Sequence, residues 1–204
     1  MQHLVDCRQL TKGMGNVIKF VKLCVSRVSP DSSEAEAKAL LLRQVRTFVE
    51  ERIEFAAESI AEYVTSTIRD GDVLLTFGSS ALLRRVLLSA AKTQRKFRLI
   101  VVDARPLQEG RETLKALSSH VPCVYTPLSG AARSMQEATK VLLAASCLFS
   151  NGAMLAAAGS AMVASLAKAR QIPVIVACES YKFVDKVQLD AIVFNELGHP
   201  GEVL

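Results

Sequence analysis

Asp72-Val73-Leu74-Leu75-Thr76-Phe77-Gly78-Ser79-Ser80 is the stretch that decides the fold. Before it, apolar residues recur every three or four positions. From Val73 onward they come in short continuous runs rich in β-branched residues, separated by helical patterns. Strands are expected at Val73–Phe77, 97–103, 123–126, 147–150, 174–178 and 191–194. Helices are expected at 80–93, 111–118, 130–144 and 154–170, with a turn near Val184. Continuous rather than alternating runs point to parallel strands covered on both faces. Strand-helix alternation with short loops then gives an α/β fold, a Rossmann-like, mainly parallel sheet flanked by helices. The chain divides into an N-terminal helical region, 1–71, and a Rossmann-like domain, 72–204.

The helical region has its own punctuation. Residues 14–28 keep an apolar period near 3.6 through Val17, Ile18, Val21 and Val25, and Pro30-Asp31-Ser32 stops them. Ser33 and Glu36 have capping-box spacing, in which each side chain satisfies the other's free backbone N–H. A long helix follows, with Leu41, Val45, Val49, Ile53, Ala56, Ile60, Val64 and Ile68 forming one stripe, and Asp70-Gly71-Asp72 ends it. Glu50, Glu51, Glu54 and Glu58 flank the stripe. They read either as a solvated face or as a contact for a partner.

Half of the 204 residues are hydrophobic and 22% are charged, which excludes disorder and supports a sizeable core. The net charge of +5 comes from scattered Lys and Arg with no RGG, RNP-like or zinc-finger pattern, so no direct nucleic-acid partner is expected. Cys7, Cys24, Cys123, Cys147 and Cys178 are odd in number and lack CxxC spacing, and His3, His120 and His199 lie far apart. No metal site and no cofactor are expected, and the thiols fit a reducing, cytoplasmic setting. Residues 141–167 carry no charge, but Ser150-Asn151-Gly152 breaks them, so a buried strand and helix are expected and no membrane span.

Ligands of such sheets bind beyond the carboxyl ends of the strands. That rule selects Gly78-Ser79-Ser80, Asp103-Ala104-Arg105-Pro106, Asn151-Gly152 and residues 179–182. Gly78-Ser79-Ser80 opens a helix whose free N–H groups suit a phosphate, with Arg105, Arg111 and Lys182 as sources of positive charge. A Gly-Ser-Ser turn at a helix start is more often a plain N-cap. There is no GxGxxG and no GxxxxGK[ST], so dinucleotide and P-loop chemistry are excluded.

A set of motifs then carries a resemblance over nearly the whole chain. They are Leu4-Val5-Asp6-Cys7-Arg8, Met14-Gly15-Asn16-Val17-Ile18-Lys19, Val101-Val102-Asp103-Ala104-Arg105-Pro106, Glu109-Gly110-Arg111, Ser150-Asn151-Gly152, Cys178-Glu179-Ser180-Tyr181-Lys182-Phe183 and Asn195-Glu196-Leu197. Together they resemble the regulatory alpha, beta and delta subunits of the guanine-nucleotide exchange factor that recharges eukaryotic translation initiation factor two. The first run and the segment around Tyr181 are most similar to the delta branch. Delta members carry a polar N-terminal extension and a further strand-helix segment, so the chain resembles the C-terminal part of such a subunit.

The resemblance implies a non-catalytic regulatory subunit. Its partners would be the beta, alpha and catalytic subunits and the alpha subunit of initiation factor two, with dimeric self-association when it is alone. Glu50, Glu54, Glu58 and Arg69 would lie on the partner surface. Gly78, Ser79, Ser80, Arg105, Asn151, Gly152 and Lys182 would be a remnant ligand pocket. Methylthioribose-1-phosphate and ribose-bisphosphate isomerases share the fold and place a catalytic cysteine after the first strand and an aspartate at the fourth. By that resemblance the two positions are Gly78 and Ser146 here. Glycine has no proton to transfer, and a serine hydroxyl is too weak an acid to replace a carboxylate. A sugar-phosphate isomerase, or a sugar-phosphate or nucleotide sensor of the same fold, is the alternative reading.

Overall fold

A computed structural model describes residues 10–93 and 95–190, with His3 and Gly201. The chain forms two compact units that interleave in sequence. One comprises Met1–Ala56, Ser146–Met154 and Glu179–Glu196; the other comprises Ala57–Ala145, Leu155–Cys178 and Leu197–Leu204. Residues 57–71 therefore count with the sheet, while 146–154 and 179–196 count with the N-terminal helices.

The larger unit is built on five parallel strands: β1 (Val73–Phe77), β2 (Arg98–Asp103), β3 (Cys123–Pro127), β4 (Lys140–Ala144) and β7 (Val174–Ala177), in the order β3-β2-β1-β4-β7. One face presents Leu74, Leu99, Val101, Leu142 and Ala177 to a core shared with α3 (Ala56–Thr67) and α4 (Ala81–Ala91). That core takes Ala61, Val64 and Ile68 from the first helix and its C-terminal end, and Leu83, Val86 and Leu87 from the second. Side chains alternate along a strand, so Leu75, Ile100, Val102, Val141 and Leu143, all buried, fill the other face. There α7 (Ser160–Ala169) packs on β4 and β7 with Val163 and Ala167 buried. Two devices fix the edges of this core. Arg95 donates to the carbonyls of Thr65 (2.7 Å), Ser66 (3.1 Å) and Ile68 at the C-terminal end of α3, groups a helix leaves unpaired. Gly159, at φ +108, caps α7 where an added Cβ would lie 2.4 Å from the Phe77 ring.

The helical unit holds α1 (Lys12–Ser26) and α2 (Glu34–Val49), followed by a π-helical segment, Glu50–Phe55. The capping box of Ser33 and Glu36 is present, with the Ser33 N–H donating to Glu36 at 3.0 Å and the Glu36 N–H to Ser33 at 3.3 Å. Thr11 caps α1 by accepting from the Met14 N–H. A small sheet of order β6-β5-β8 completes this part, with β5 (Cys147–Phe149), β6 (Met154–Leu155) and β8 (Phe183–Val184).

Four expectations need correction. The fourth parallel strand is Lys140–Ala144, not 147–150, and the expected helix 130–144 shrinks to a 3-10 turn (Leu128–Gly130) and α6 (Ala131–Ser134). The apolar run Val141-Leu142-Leu143 has no period of its own, and burial between two neighbouring strands decides in favour of β structure. Residues 147–149 form β5, paired in parallel with β8, where only a turn was expected near Val184. The helix expected from 154 starts at Ser160, after β6 and the left-handed Gly159. Finally, the fully buried residues of the long helix are Ala57, Ala61, Val64 and Ile68, with Ile60 half-buried against the same core, and α2 has no fully buried residue. The long helix is also interrupted by the π-helical segment Glu50–Phe55, whose wider turns break the α-helical period between α2 and α3. The strand expected at 191–194 lies outside the described residues.

Candidate functional site

The strand order changes direction between β1 and β4, and in an open α/β sheet that switch point is where ligands bind. Gly78 follows β1 at φ +63, with open space where a side chain would stand. Its N–H donates to the Val102 carbonyl (2.8 Å) and its carbonyl accepts from the Thr113 hydroxyl (3.1 Å), so this turn is bonded on both sides. The two serines have local tasks. Ser80 caps α4 by accepting from the Leu83 N–H at 3.4 Å. The Ser79 hydroxyl accepts from Arg84 and lies 3.4 Å from a Glu112 carboxylate oxygen, and Arg84 pairs with Glu112 at 2.9 Å.

A denser polar cluster stands at the ends of β2 and β3. Asp103 is buried and accepts from the Ala104 N–H (2.9 Å) on one oxygen and the Tyr125 hydroxyl (2.8 Å) on the other. Burial, the hydrogen bond to Asp103 and its negative charge hold the Tyr125 phenol above its ordinary value, and Arg111 offsets part of this. Helix α5 (Gly110–Leu117) reaches the cluster only because its first residue is glycine, since a Cβ there would lie 2.7 Å from the Asp103 carboxyl carbon. Tyr125 escaped the sequence reading. Pairing it with Asp103 requires the register of β2 on β3, which no local pattern encodes. Arg105 is exposed in the loop after β2, ahead of a cis Pro106.

The other expected ligand residues lie in the helical unit. Asn151 and Gly152 form the tight turn between β5 and β6, with Gly152 at φ +80. The Asn151 amide donates to the Gln188 carbonyl (2.8 Å) and the Ser150 hydroxyl to the Lys186 carbonyl (3.1 Å), so these side chains fasten the following chain. Lys182 pairs with the buried Glu179 at 2.7 Å. Ser146 is exposed, while the next residue, Cys147, is buried and its thiol is raised by burial, with Lys12 offsetting part of the shift.

Glu50, Glu54, Glu58 and Arg69 are all exposed. Glu50 and Glu54 stand on the π-helical segment of the helical unit. Glu58, in the sheet unit, pairs with Arg85 at 2.8 Å. Arg69 gives its backbone N–H to Asp72 (2.7 Å), leaving its side chain outside that bond. Among the described residues there is no metal-ligating group of three and no helix long and apolar enough to cross a membrane.

Comparison with known proteins agrees with this geometry. The translation initiation factor eIF2B subunit delta of Schizosaccharomyces pombe is 41% identical over 203 residues, which is 99% of this chain and 43% of the relative, so the chain spans under half of that protein's length. Ribose 1,5-bisphosphate isomerase of Thermococcus kodakarensis is 30% identical over 203 residues, 98% of this chain and 63% of the enzyme. In structure, a chain of the tetrameric eIF2B-beta2-delta2 complex from C. thermophilum superposes with a TM-score of 0.89 at 34% identity, covering 93% of this chain and 62% of that one. The match to the family described as initiation factor 2 subunit runs through residues 1–204, with the parallel sheet and its helices inside the matched region, and the chain belongs to that family.

Proposed function

We propose that the chain is a delta-type, non-catalytic regulatory subunit of the cytoplasmic guanine-nucleotide exchange factor for translation initiation factor two. One observation carries the reading. Across almost the whole chain identity to a delta subunit is 41%, against 30% to an isomerase, and the two positions where the isomerase resemblance demands chemistry hold Gly78 and Ser146. Gly78 offers neither nucleophile nor proton. The exposed Ser146 hydroxyl gives no acid or base of useful strength near neutral pH. Around the switch point Ser80 is spent on a cap, Ser79 on Arg84 and Glu112, and Asp103 on Tyr125.

As such a subunit the chain pairs with a beta subunit, joins alpha and the catalytic subunits, and meets the alpha subunit of the initiation factor. Glu50, Glu54, Glu58 and Arg69 are the charges proposed to read the phosphorylated factor, being exposed and off the buried stripe. Reconstitution tests this. The exchange factor assembled with this chain in the delta position slows when the initiation factor is phosphorylated. Exchange that ignores phosphorylation, or turnover of ribose 1,5-bisphosphate by the purified chain, would overturn the reading.

A further inference from the structure

The helical unit contains an open cavity of about 260 Å³ lined by Asn16, Phe20, Phe48, Arg52, Ser180 and Tyr181. Its walls are aromatic and braced. The Phe20 and Phe48 rings lie 4.5 Å apart between centroids at 33°, and Tyr181 meets Phe48 edge-on at 6.4 Å and 67°. The Asn16 amide donates to the carbonyls of Tyr181 (2.9 Å) and Phe183 (2.8 Å), which fixes the 3-10 turn Ser180–Lys182 against α1. Arg52 is the one charged residue of the lining. It is exposed, stands on the π-helical segment, and its side chain makes no hydrogen bond or ion pair within the described residues. The nearby Lys182 is neutralised by Glu179 at 2.7 Å. Single π-helical turns recur at functional sites, where they re-aim a side chain that a regular helix would turn elsewhere.

We propose that this cavity is a binding site for a small aromatic carboxylate, its ring against Phe20, Phe48 and Tyr181 and its carboxylate on the Arg52 guanidinium. The volume suits a one- or two-ring molecule and is small for a larger ligand. The sign follows from the lining. An aromatic cage for an ammonium group works through the negative ring faces, and a guanidinium in the same wall opposes it. A neutral aromatic gains the stacking and leaves the guanidinium without a partner. A carboxylate gains both, because the planar guanidinium meets two carboxylate oxygens with parallel N–H donors. If the three rings serve only to pack α1 on α2, Arg52 is a bystander. The proposal does not rest on the regulatory role above, although Arg52 shares the π-helical segment with Glu50 and Glu54.

The test uses the full chain and three probes with one ring and different charge: indole-3-acetate, indole-3-acetamide and tryptamine, followed by saturation-transfer NMR and titration. Indole-3-acetate is expected to bind, the amide more weakly and the amine not at all. Arg52→Gln, at an exposed position, is expected to weaken indole-3-acetate by about tenfold to a hundredfold, the usual worth of a hydrogen bond to a charged group. Phe48→Leu, which keeps an apolar side chain, is expected to weaken acetate and amide alike. Absence of binding by all three probes at millimolar concentration overturns the proposal. So does equal binding of the three, or an Arg52→Gln protein that binds the acetate as the parent does.

Discussion

Asp72 is a buried charge in the sheet unit, held in an ion pair with Lys140, and replacing it tests what that pair contributes to stability. It stands just before β1, 7% exposed, and accepts from the Arg69 N–H (2.7 Å), the Thr139 hydroxyl (2.8 Å) and the Lys140 ammonium. Thr139 closes the arrangement by accepting from the Val73 N–H (3.1 Å) and giving its own N–H to the Val73 carbonyl (2.8 Å). The network therefore sets the register of β1 on β4 at the end of the strands away from the ligand face. Asp72→Ala leaves the Lys140 ammonium, whose side chain is 17% exposed, without its counter-ion and takes the acceptor from the Arg69 N–H, while the Thr139 hydroxyl keeps the Val73 carbonyl at 3.3 Å. Breaking one side of a buried pair costs about 3–5 kcal/mol, and the residual exposure puts this case near 3 kcal/mol. Lys140→Met removes the cation but keeps the Arg69 and Thr139 donors, so its expected cost is about 1–2 kcal/mol.

The pH dependence follows from the same contacts. Burial pushes the Asp72 carboxyl up, and the Lys140 hydrogen bond, the Arg69 N–H, the Thr139 hydroxyl and the Lys140 charge together bring it below its ordinary value of 3.8. A depressed folded-state value contributes stability that is present above 3.8 and lost as the pH falls through the lower folded value. In Lys140→Met the burial effect is less opposed, so acid unfolding begins at higher pH than in the parent. Urea unfolding at neutral pH and an acid titration, both read by circular dichroism, measure these effects. An Asp72→Ala cost below about 1 kcal/mol, or one equal to that of Lys140→Met, would show that the buried-pair penalty is not what holds this corner.

Gly159→Ala forces a Cβ into the Phe77 ring at a φ of +108; we expect a loss of about 2–4 kcal/mol by thermal or urea unfolding, partly relieved by adding Phe77→Leu. Tyr125, raised by burial and Asp103, contributes stability below its ordinary value of 10.0 that is lost as the pH rises through the higher folded value. Tyr125→Phe should therefore flatten the alkaline end of the stability curve, and ultraviolet difference titration of the parent against Tyr125→Phe should place the Tyr125 phenolate above its ordinary value. Glu54→Lys and Glu58→Lys should leave stability within about 0.5–1 kcal/mol, since the Glu58–Arg85 pair is exposed. In the assembled exchange factor the same changes should alter the response to phosphorylated initiation factor, and unchanged inhibition in both would remove this face from the regulatory surface.

Much of the sheet was legible because β1 and β2 are continuous buried apolar runs, as central parallel strands must be, and the half-buried edge strands β3 and β7 are short β-branched runs each preceded by a proline. β4 was hidden for the same reason. Val141-Leu142-Leu143 follows a stretch that begins as a helix, and no periodicity separates a buried strand from a buried helix over so few residues. The Ser33–Glu36 cap was readable because it is local chemistry at fixed spacing. The π-helical segment was not, since nothing in Glu50–Phe55 forbids an ordinary α-helix. Asp103 was recognisable at a strand end, but its bond to Tyr125 depends on strand register. Likewise Arg95, capping the C-terminal end of α3, is 27 residues from Ile68 in sequence. Ser79, Ser80 and Asn151 were legible as polar groups at strand ends, but their bonds to Arg84, Leu83 and Gln188 were not, because those partners are set by the fold.

The account stands or falls on whether the chain assembles as a delta-type subunit. The direct measurement is co-expression of the full chain with a beta subunit, purification through a tag on the beta subunit, and native mass spectrometry of the product. The account predicts a complex containing equal numbers of this chain and the beta subunit, surviving purification. A beta subunit recovered without this chain, with the chain itself folded and separate in the unbound fraction, would contradict it.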